Sequence, residues 1–445
     1  MYGNNVISFT FAFEFYISTM DITTLYEIYS QHPVISTDSR NCPPGSLFFA
    51  LKGDSFDGNQ FAKQALQSAS YAIIDDPTIQ TDDRMILTDN VLKTLQKLAS
   101  LHRKTLGIPV IGITGTNGKT TTKELLASVL STTYNTLYTT GNLNNHIGVP
   151  LTLLRLTHEH EIAVIEMGAN HPGEIQELAA IVQPNYGIIT NVGYAHLEGF
   201  GSLEGVIRTK GELYDFLRQT DGTIFLHKEN KYLQPIASGI KQIIYGKDQP
   251  AFVTGQIVDC NPYLNLQWTF QNKTYTVPTH LIGNYNLSNL LAAIAVGVFW
   301  EIPANLINQA ITSYEPQNNR SQLKKTERNQ LIIDAYNANP SSMNAALANF
   351  ADIEASSKMV ILGDMLELGT NSSSLHADVI KQLEELSFDH VILCGKQFSS
   401  LNPPFHCFET VDKLNEYLDH TQILGHYILI KGSHGIHLEK TIAYL

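Results

Sequence analysis

The sequence predicts an α/β protein of three domains. These are a small α/β N-terminal domain, a central mainly parallel sheet with helices and an antiparallel annex, and a C-terminal Rossmann-like doubly wound layer. Three observations predict it. Short apolar runs alternate with helical patterns along most of the chain, which is how successive βαβ units read. One run, at 109–113, passes into the glycine-rich turn Gly115-Thr-Asn-Gly-Lys-Thr-Thr121 and then into a helical pattern at 123–130, giving the order strand, phosphate loop, helix. Finally, 445 residues are more than one ordinary core organises.

Residues 20–106 form the first predicted domain. A helix at 25–29 precedes a buried strand at 46–51, an amphipathic helix at 59–68 and a strand at 71–74. A helix at 89–101 carries Leu92, Leu95, Leu98 and Ala99 on one face, and Gly107-Ile-Pro109 marks the junction. Residues 107–316 form the central domain, with strands at 110–114, 162–167, 187–191, 223–226 and 242–245 and helices at 123–130, 172–181 and 205–216. Alternating patterns at 264–270 and 273–277 predict the antiparallel annex, and 286–298 is an apolar helix. From 317 to 445, strands at 331–334, 359–362, 390–393 and 427–430 alternate with helices at 342–350 and 374–385.

Residues 6–17 are apolar and aromatic, but no Lys or Arg precedes them, Glu14 interrupts them and no small-residue cleavage site follows. They are also too short to span a bilayer, so no membrane insertion is expected. The expectation is that translation starts at Met20 and that 1–19 is an extension without a folding role. A formal net charge of −13 leaves no basic field for a nucleic-acid partner. Four scattered cysteines without a CxxC pair suit a reducing, cytoplasmic setting and no structural zinc.

The candidate chemistry starts at the loop. Glycine backbone N–H groups can curl around an anion, Lys119 would reach the outer phosphates, and the Thr120 hydroxyl would sit on Mg²⁺. The strict phosphate-loop pattern places glycine five residues before Gly118, where this chain has Ile113. Glu166 ends the apolar strand 162–166, a position that suits a metal-orienting acid and equally a solvent-facing strand end. His196 follows another strand, so Lys119, Glu166 and His196 all stand just after strand carboxyl ends, where ligands gather in doubly wound sheets. Lys210 reads as a solvated lysine on a helix. Asn286 and Asn289 share a helical face and suit either a purine edge or helix capping. Asp334 opens a carboxylate-and-amide cluster, 334–341, that is also ordinary turn chemistry.

Together these motifs resemble the Mur ligases of bacterial cell-wall synthesis. The resemblance rests on the loop 115–121, Gly141-Asn-Leu-Asn-Asn-His-Ile-Gly-Val-Pro150, Glu166-Met-Gly-Ala-Asn-His-Pro-Gly-Glu174, Ala195-His-Leu-Glu-Gly-Phe-Gly-Ser202 and Lys210-Gly-Glu212. It continues through 283–289, 334–340 and Gly363-Asp-Met-Leu-Glu-Leu-Gly369, and so covers the chain from residue 20 onward. The Asn-Leu-Asn-Asn, Gly-Ala-Asn-His and Tyr-Asn-Ala-Asn-Pro stretches are most similar to the member that adds D-alanyl-D-alanine to a UDP-N-acetylmuramoyl-tripeptide.

The resemblance implies ATP and Mg²⁺, two ions, and a soluble monomer. It implies nucleotide contacts from Gly115, Thr116, Asn117, Gly118, Lys119, Thr120 and Thr121, adenine contacts from Asn286 and Asn289, and phosphate and ribose contacts from Arg320 and Asp334. It implies metal-site roles for Thr120, Glu166, His196 and a carbamylated Lys210, and makes Lys119, Glu166, His196 and Lys210 the catalytic set. Ser39 and Arg40 would meet the uridine end of the substrate, and Asn142 and Asn145 its sugar-peptide part. Two departures stand out. A Pro-Gly-Arg loop reads Asn318-Asn-Arg320, and a late Lys-Gly-Ser-Arg reads Lys431-Gly-Ser-His434, with histidine a weaker anion holder than arginine. The alternatives are another amide ligase of the superfamily, third-residue-adding or folylpolyglutamate-type, and a phosphate-loop nucleotide switch.

Overall fold

A computed structural model describes residues 20–317 and 319–445. The expected extension, 1–19, lies outside the described residues, as does Asn318. The chain divides into two compact units, one ending at Leu101 and the other running from His102 to Leu445.

The first unit is built on four parallel strands in the order Ile35–Ser36, Leu47–Phe49, Tyr71–Ile74 and Met85–Leu87. Its helix at 59–68 is shorter than expected, a 3₁₀ turn Gly58–Phe61 leading into Ala62–Ala65. Asp57 caps that turn by accepting from Asn59 N, and Asn59 also donates to Asp75, so a polar anchor fixes its start while Ala62, Ala65 and Leu66 bury its apolar side.

In the second unit nine strands form one sheet. Its order is Lys273–Ile282, Tyr263–Phe270, Val253–Cys260, Lys241–Gly246, Thr223–His227, Tyr186–Ile189, Val110–Thr114, Ile162–Glu166 and Thr136–Tyr138. The expected annex is therefore no separate body. Its three strands pair antiparallel with one another and join the parallel sheet where Tyr245 pairs with Val253. Val110–Thr114 and Ile162–Glu166 are buried at every residue, because helices cover both faces of the parallel part; they therefore read as unbroken apolar runs rather than alternations. The apolar helix Leu287–Phe299 and the helix after the phosphate loop, Lys119–Leu130, share one core with them.

A six-stranded sheet follows, ordered Gln322–Lys325, Gln330–Asp334, Tyr427–Lys431, Lys358–Gly363, His390–Cys394 and His406–Phe408. All but the first pair are parallel, and separate apolar clusters pack its two faces. Its register sets Asp334 beside Lys431 at the carboxyl edge, just as the central register ends Thr114, Glu166 and Ile189 together.

Candidate active site

The loop between Thr114 and Lys119 takes its shape from two glycines in left-handed or related backbone. Gly115 has φ +143°, and a Cβ there would lie 2.1 Å from Thr190 Oγ1. Gly118 has φ +77°, and a Cβ there would lie 2.7 Å from Asn289 Oδ1. Neighbouring polar groups fix the loop. Thr116 N donates to Asn191 O, Asn117 N donates to Asn191 Oδ1, and both Thr190 Oγ1 and Asn191 Nδ2 donate to Asn117 O. Gly118 is the N-cap of the helix Lys119–Leu130 and offers no side chain to cap it, so the first-turn N–H groups keep their donors for an incoming anion. Gly115→Ala is expected to lower stability by at least ~2 kcal/mol, since strained backbone and overlap with Thr190 add. A thermal melt checks this; an unchanged melting temperature would mean that the loop rearranges freely.

Lys119 folds back over this loop, its Nζ donating to Gly115 O at 2.8 Å and Thr116 O at 3.1 Å. Burial lowers its pKa, the Glu166 carboxylate works against that, and Arg320 pushes it down further. Arg320 comes from the six-stranded region, so cations from two sheets share one field. Its guanidinium lies 3.6 Å from the centre of the Tyr336 ring, a stacked cation–π contact. The exposed His434 meets the same ring edge-on at 5.9 Å, so the histidine that replaces the expected arginine shares a platform with Arg320. Asn339 supplies a direct tie, its Nδ2 donating to Asn117 Oδ1 at 2.8 Å, while the same residue caps the helix Pro340–Asp352.

Glu166 is buried, and its two oxygens differ. Oε1 accepts from Asn144 Nδ2 at 2.9 Å and from Thr120 Oγ1 at 3.3 Å. Oε2 is buried without a hydrogen bond, and Lys123 Nζ stands 3.9 Å away. A buried carboxylate oxygen with no donor beside a threonine hydroxyl is a hard-oxygen set that fits Mg²⁺. Among the described residues no three His, Cys, Asp or Glu side chains gather as a ready metal cage.

Lys210 corrects the reading of a solvated helical lysine: it is 2% exposed. The helix Leu203–Gln219 turns this residue inward, and Nζ donates to Ala169 O at 3.2 Å in the loop that follows Glu166. Burial, with the Lys119 charge adding to it, drives its pKa well below the lysine range. Nζ also lies 5.0 Å from the centre of the Phe200 ring, whose other neighbour is the His196 ring, edge-on at 6.1 Å. Lys210 and His196 thus flank one phenylalanine. The next motif residue but one, Glu212, braces a neighbouring helix by accepting from Gly173 N and Gln176 N at the start of Glu174–Val182.

His196 has left-handed backbone, φ +49°, and its Nδ1 lies 2.5 Å from Glu367 Oε2 of the six-stranded region. The His196 ring beside it holds the Glu367 carboxyl below the usual range, although Nδ1 is not aligned to donate a hydrogen bond. Asn286 and Asn289 form an internal chain: Thr122 Oγ1 donates to Asn289 Oδ1, Asn289 Nδ2 to Asn286 Oδ1, and Asn286 Nδ2 to Ile282 O. Their amides brace the loop from behind. Asp334 accepts from Lys431 Nζ at 2.5 Å and from Ser321 N at 3.3 Å. Asn145 Oδ1 accepts from Ile147 N and Gly148 N in the turn leading into the helix Gly148–Leu153, while Asn142 is exposed beside it. In the first unit Arg40 is exposed and pairs with Asp38, next to the half-buried Ser39.

Nothing in the sequence singles out Asn144, Lys123, Asn339 or Glu367 as site residues. Asn144 lies between the candidates Asn142 and Asn145, and nothing local distinguishes it from them; its contact with Glu166 is 22 residues away in the chain.

The geometry defines a ligase-type nucleotide site, and comparison with known proteins agrees. The description "Mur ligase family, catalytic domain" matches residues 33–112, "Mur ligase middle domain" 113–297, and "Mur ligase, glutamate ligase domain" 319–434. The chain belongs to the Mur ligase family. It is 33% identical over 428 residues to the UDP-N-acetylmuramoyl-tripeptide--D-alanyl-D-alanine ligase of Bacillus subtilis (strain 168), covering 92% of each chain. It is also 33% identical to the enzyme of that name from Escherichia coli (strain K12), covering 92% of this chain and 93% of that one. A crystal structure of MurF from Acinetobacter baumannii superimposes with a TM-score of 0.84 at 31% identity, over 92% of both chains. The MurF ligase of Thermotoga maritima in complex with ADP, 24% identical with a TM-score of 0.83, has the same fold.

Proposed function

We propose that this chain is an ATP-dependent amide ligase that joins D-alanyl-D-alanine to UDP-N-acetylmuramoyl-tripeptide in peptidoglycan precursor synthesis. The substrates follow from end-to-end similarity to enzymes of that name. The chemistry rests on one observation: an uncapped helix N-terminus and Lys119 share one field with the Glu166 carboxylate, whose Oε2 has no hydrogen bond, and with Arg320 from the following sheet.

The terminal carboxylate of the tripeptide attacks the γ-phosphorus of ATP, and ADP leaves with the bridging oxygen. The amine of D-alanyl-D-alanine then attacks the acyl carbon. The tetrahedral intermediate loses phosphate and a proton to give the amide. Three anionic groups must be brought into line, so positioning by fixed cations and N–H donors carries much of the rate. Lys119 and the first-turn N–H groups hold the phosphates, and Arg320, braced on Tyr336, closes from the opposite side. Thr120, Glu166 and His196 would hold Mg²⁺, which offsets phosphate charge when bound. Lys210, held neutral, has the lone pair needed to attack CO₂; the N–C bond forms, a proton leaves Nζ, and an anionic carbamate joins that set. Asn286, Asn289 and Asp334 belong to the nucleotide side, and Ser39, Arg40, Asn142 and Asn145 to the UDP-substrate side. Among the described residues no helix is long and apolar enough to cross a membrane.

Phosphate release tests the assignment. ATP cleavage is expected only when both the UDP-tripeptide and D-alanyl-D-alanine are present, with a product of the joined mass. Cleavage indifferent to both would instead make the chain a nucleotide switch.

A further inference from the structure

Glu367 has no part in the reaction as described, yet its placement is heavily determined. It lies in the loop after the strand Lys358–Gly363, and that loop is pinned from inside at each preceding residue. Asp364 is buried and accepts from Gln397 N and Phe398 N. Met365 N donates to His376 Nε2, whose Nδ1 in turn bonds Ser372 O. Leu366 N donates to Ser433 Oγ. What this rigid arm presents is Glu367, in left-handed backbone at φ +62°, facing His196, itself left-handed at φ +49°. The carboxylate lies 2.5 Å from Nδ1, and a second tie, Glu198 N to Glu367 O at 3.3 Å, holds the two backbones in register.

A half-exposed ion pair returns little stability, and two non-glycine residues in left-handed backbone are a cost. Function is therefore the better reason for the arrangement. A carboxylate this close to Nδ1 favours the ring orientation and tautomer with the proton on that side, which leaves the Nε2 lone pair for a ligand. We infer that Glu367 is a positioning residue for His196: the six-stranded domain completes the metal site of the central sheet by orienting its histidine, so that metal binding and docking of that domain are coupled. This rests on the reading of His196 as a metal-site residue.

The test uses the full chain and Mn²⁺ as probe, with bound Mn²⁺ measured by electron paramagnetic resonance in the presence of ADP. Glu367→Ala is expected to weaken Mn²⁺ binding ~10-fold or more, within the usual range for loss of a ligand-orienting partner. Glu367→Gln, which keeps an oxygen able to face Nδ1, should lose only a few-fold, and it carries the test if alanine disturbs the loop. His196→Ala should weaken binding at least as much as Glu367→Ala. If His196→Ala weakens binding and both Glu367 variants leave it unchanged, the inference is overturned while the metal reading stands. If neither position matters, the metal reading of His196 falls as well.

Discussion

Lys210→Ala is expected to abolish ligation, lowering kcat by ~10³-fold or more, with activity partly restored by added formate or acetate. An ammonium at 2% exposure with one carbonyl partner, Ala169 O, is poorly compensated, and the Lys119 charge makes it worse. The amine is therefore held in the form that reacts with CO₂. A carbamate there would set a negative charge among Lys119, the ring of Phe200 and His196, where it relieves the repulsion between the two lysines and offers oxygens to a metal. Loss of an anionic bridging ligand costs several kcal/mol of transition-state stabilisation, hence the size of the effect. The restoring carboxylate separates this from a packing defect, because a small anion can refill a vacated ligand position but cannot repair a core. Full activity in the variant, or an inactive one that no carboxylate rescues although it melts normally, would remove the carbamate from the mechanism.

Lys119→Ala is expected to cost ~10³-fold in kcat/KM while leaving the fold intact. Nζ now bonds two carbonyls of its own loop, Gly115 O and Thr116 O. Gly115 and Thr116 are themselves buried, so losing this donor should cost about 1–3 kcal/mol, a loss that leaves the chain folded. The loss to the transition state is larger. Removing a single preorganised donor from developing negative charge costs ~10²–10³-fold, and a charged donor in a partly enclosed site lies at the upper end. Lys119→Arg should not rescue, because a planar fork cannot take the place of a compact ammonium cradled by two carbonyls. Steady-state kinetics with ATP as the varied substrate, alongside a thermal melt, check both halves. A variant that binds and cleaves ATP normally would displace the loop lysine from the phosphates.

The central strands and the phosphate loop were legible because local rules govern them. Val110–Thr114 and Tyr71–Ile74 fall where the apolar runs place them, and the loop glycines mark backbone that only glycine takes without strain. The helix expected at 342–350 is present as Pro340–Asp352, but Asn339-Pro340 ahead of it reads equally as a turn, and only the structure makes Asn339 its cap. The short edge strands Thr136–Tyr138 and Gln322–Lys325 were not visible, because partly exposed strands of three or four residues carry no periodicity to read. Nor was the fusion of the 251–282 strands with the parallel sheet, which depends on a pairing between Tyr245 and Val253 that no alternation pattern specifies.

The site divides along the same line. Local patterns are enough to set which residue types stand at or just after which strand ends: Lys119, Glu166, His196 and Asp334. The tertiary structure alone decided what each one faces. Lys210 lies on a helix whose apolar side turns it inward, so a residue that composition assigns to solvent is buried beneath the loop after Glu166. Glu166 accepts from Asn144 through one oxygen and keeps the other free, and His196 meets Glu367, 171 positions later by their numbers in the chain. The physical reason is range. Strand, turn and cap preferences act over a few residues, whereas burial, hydrogen-bond partnership and charge proximity are set by elements that only the packed sheets bring together.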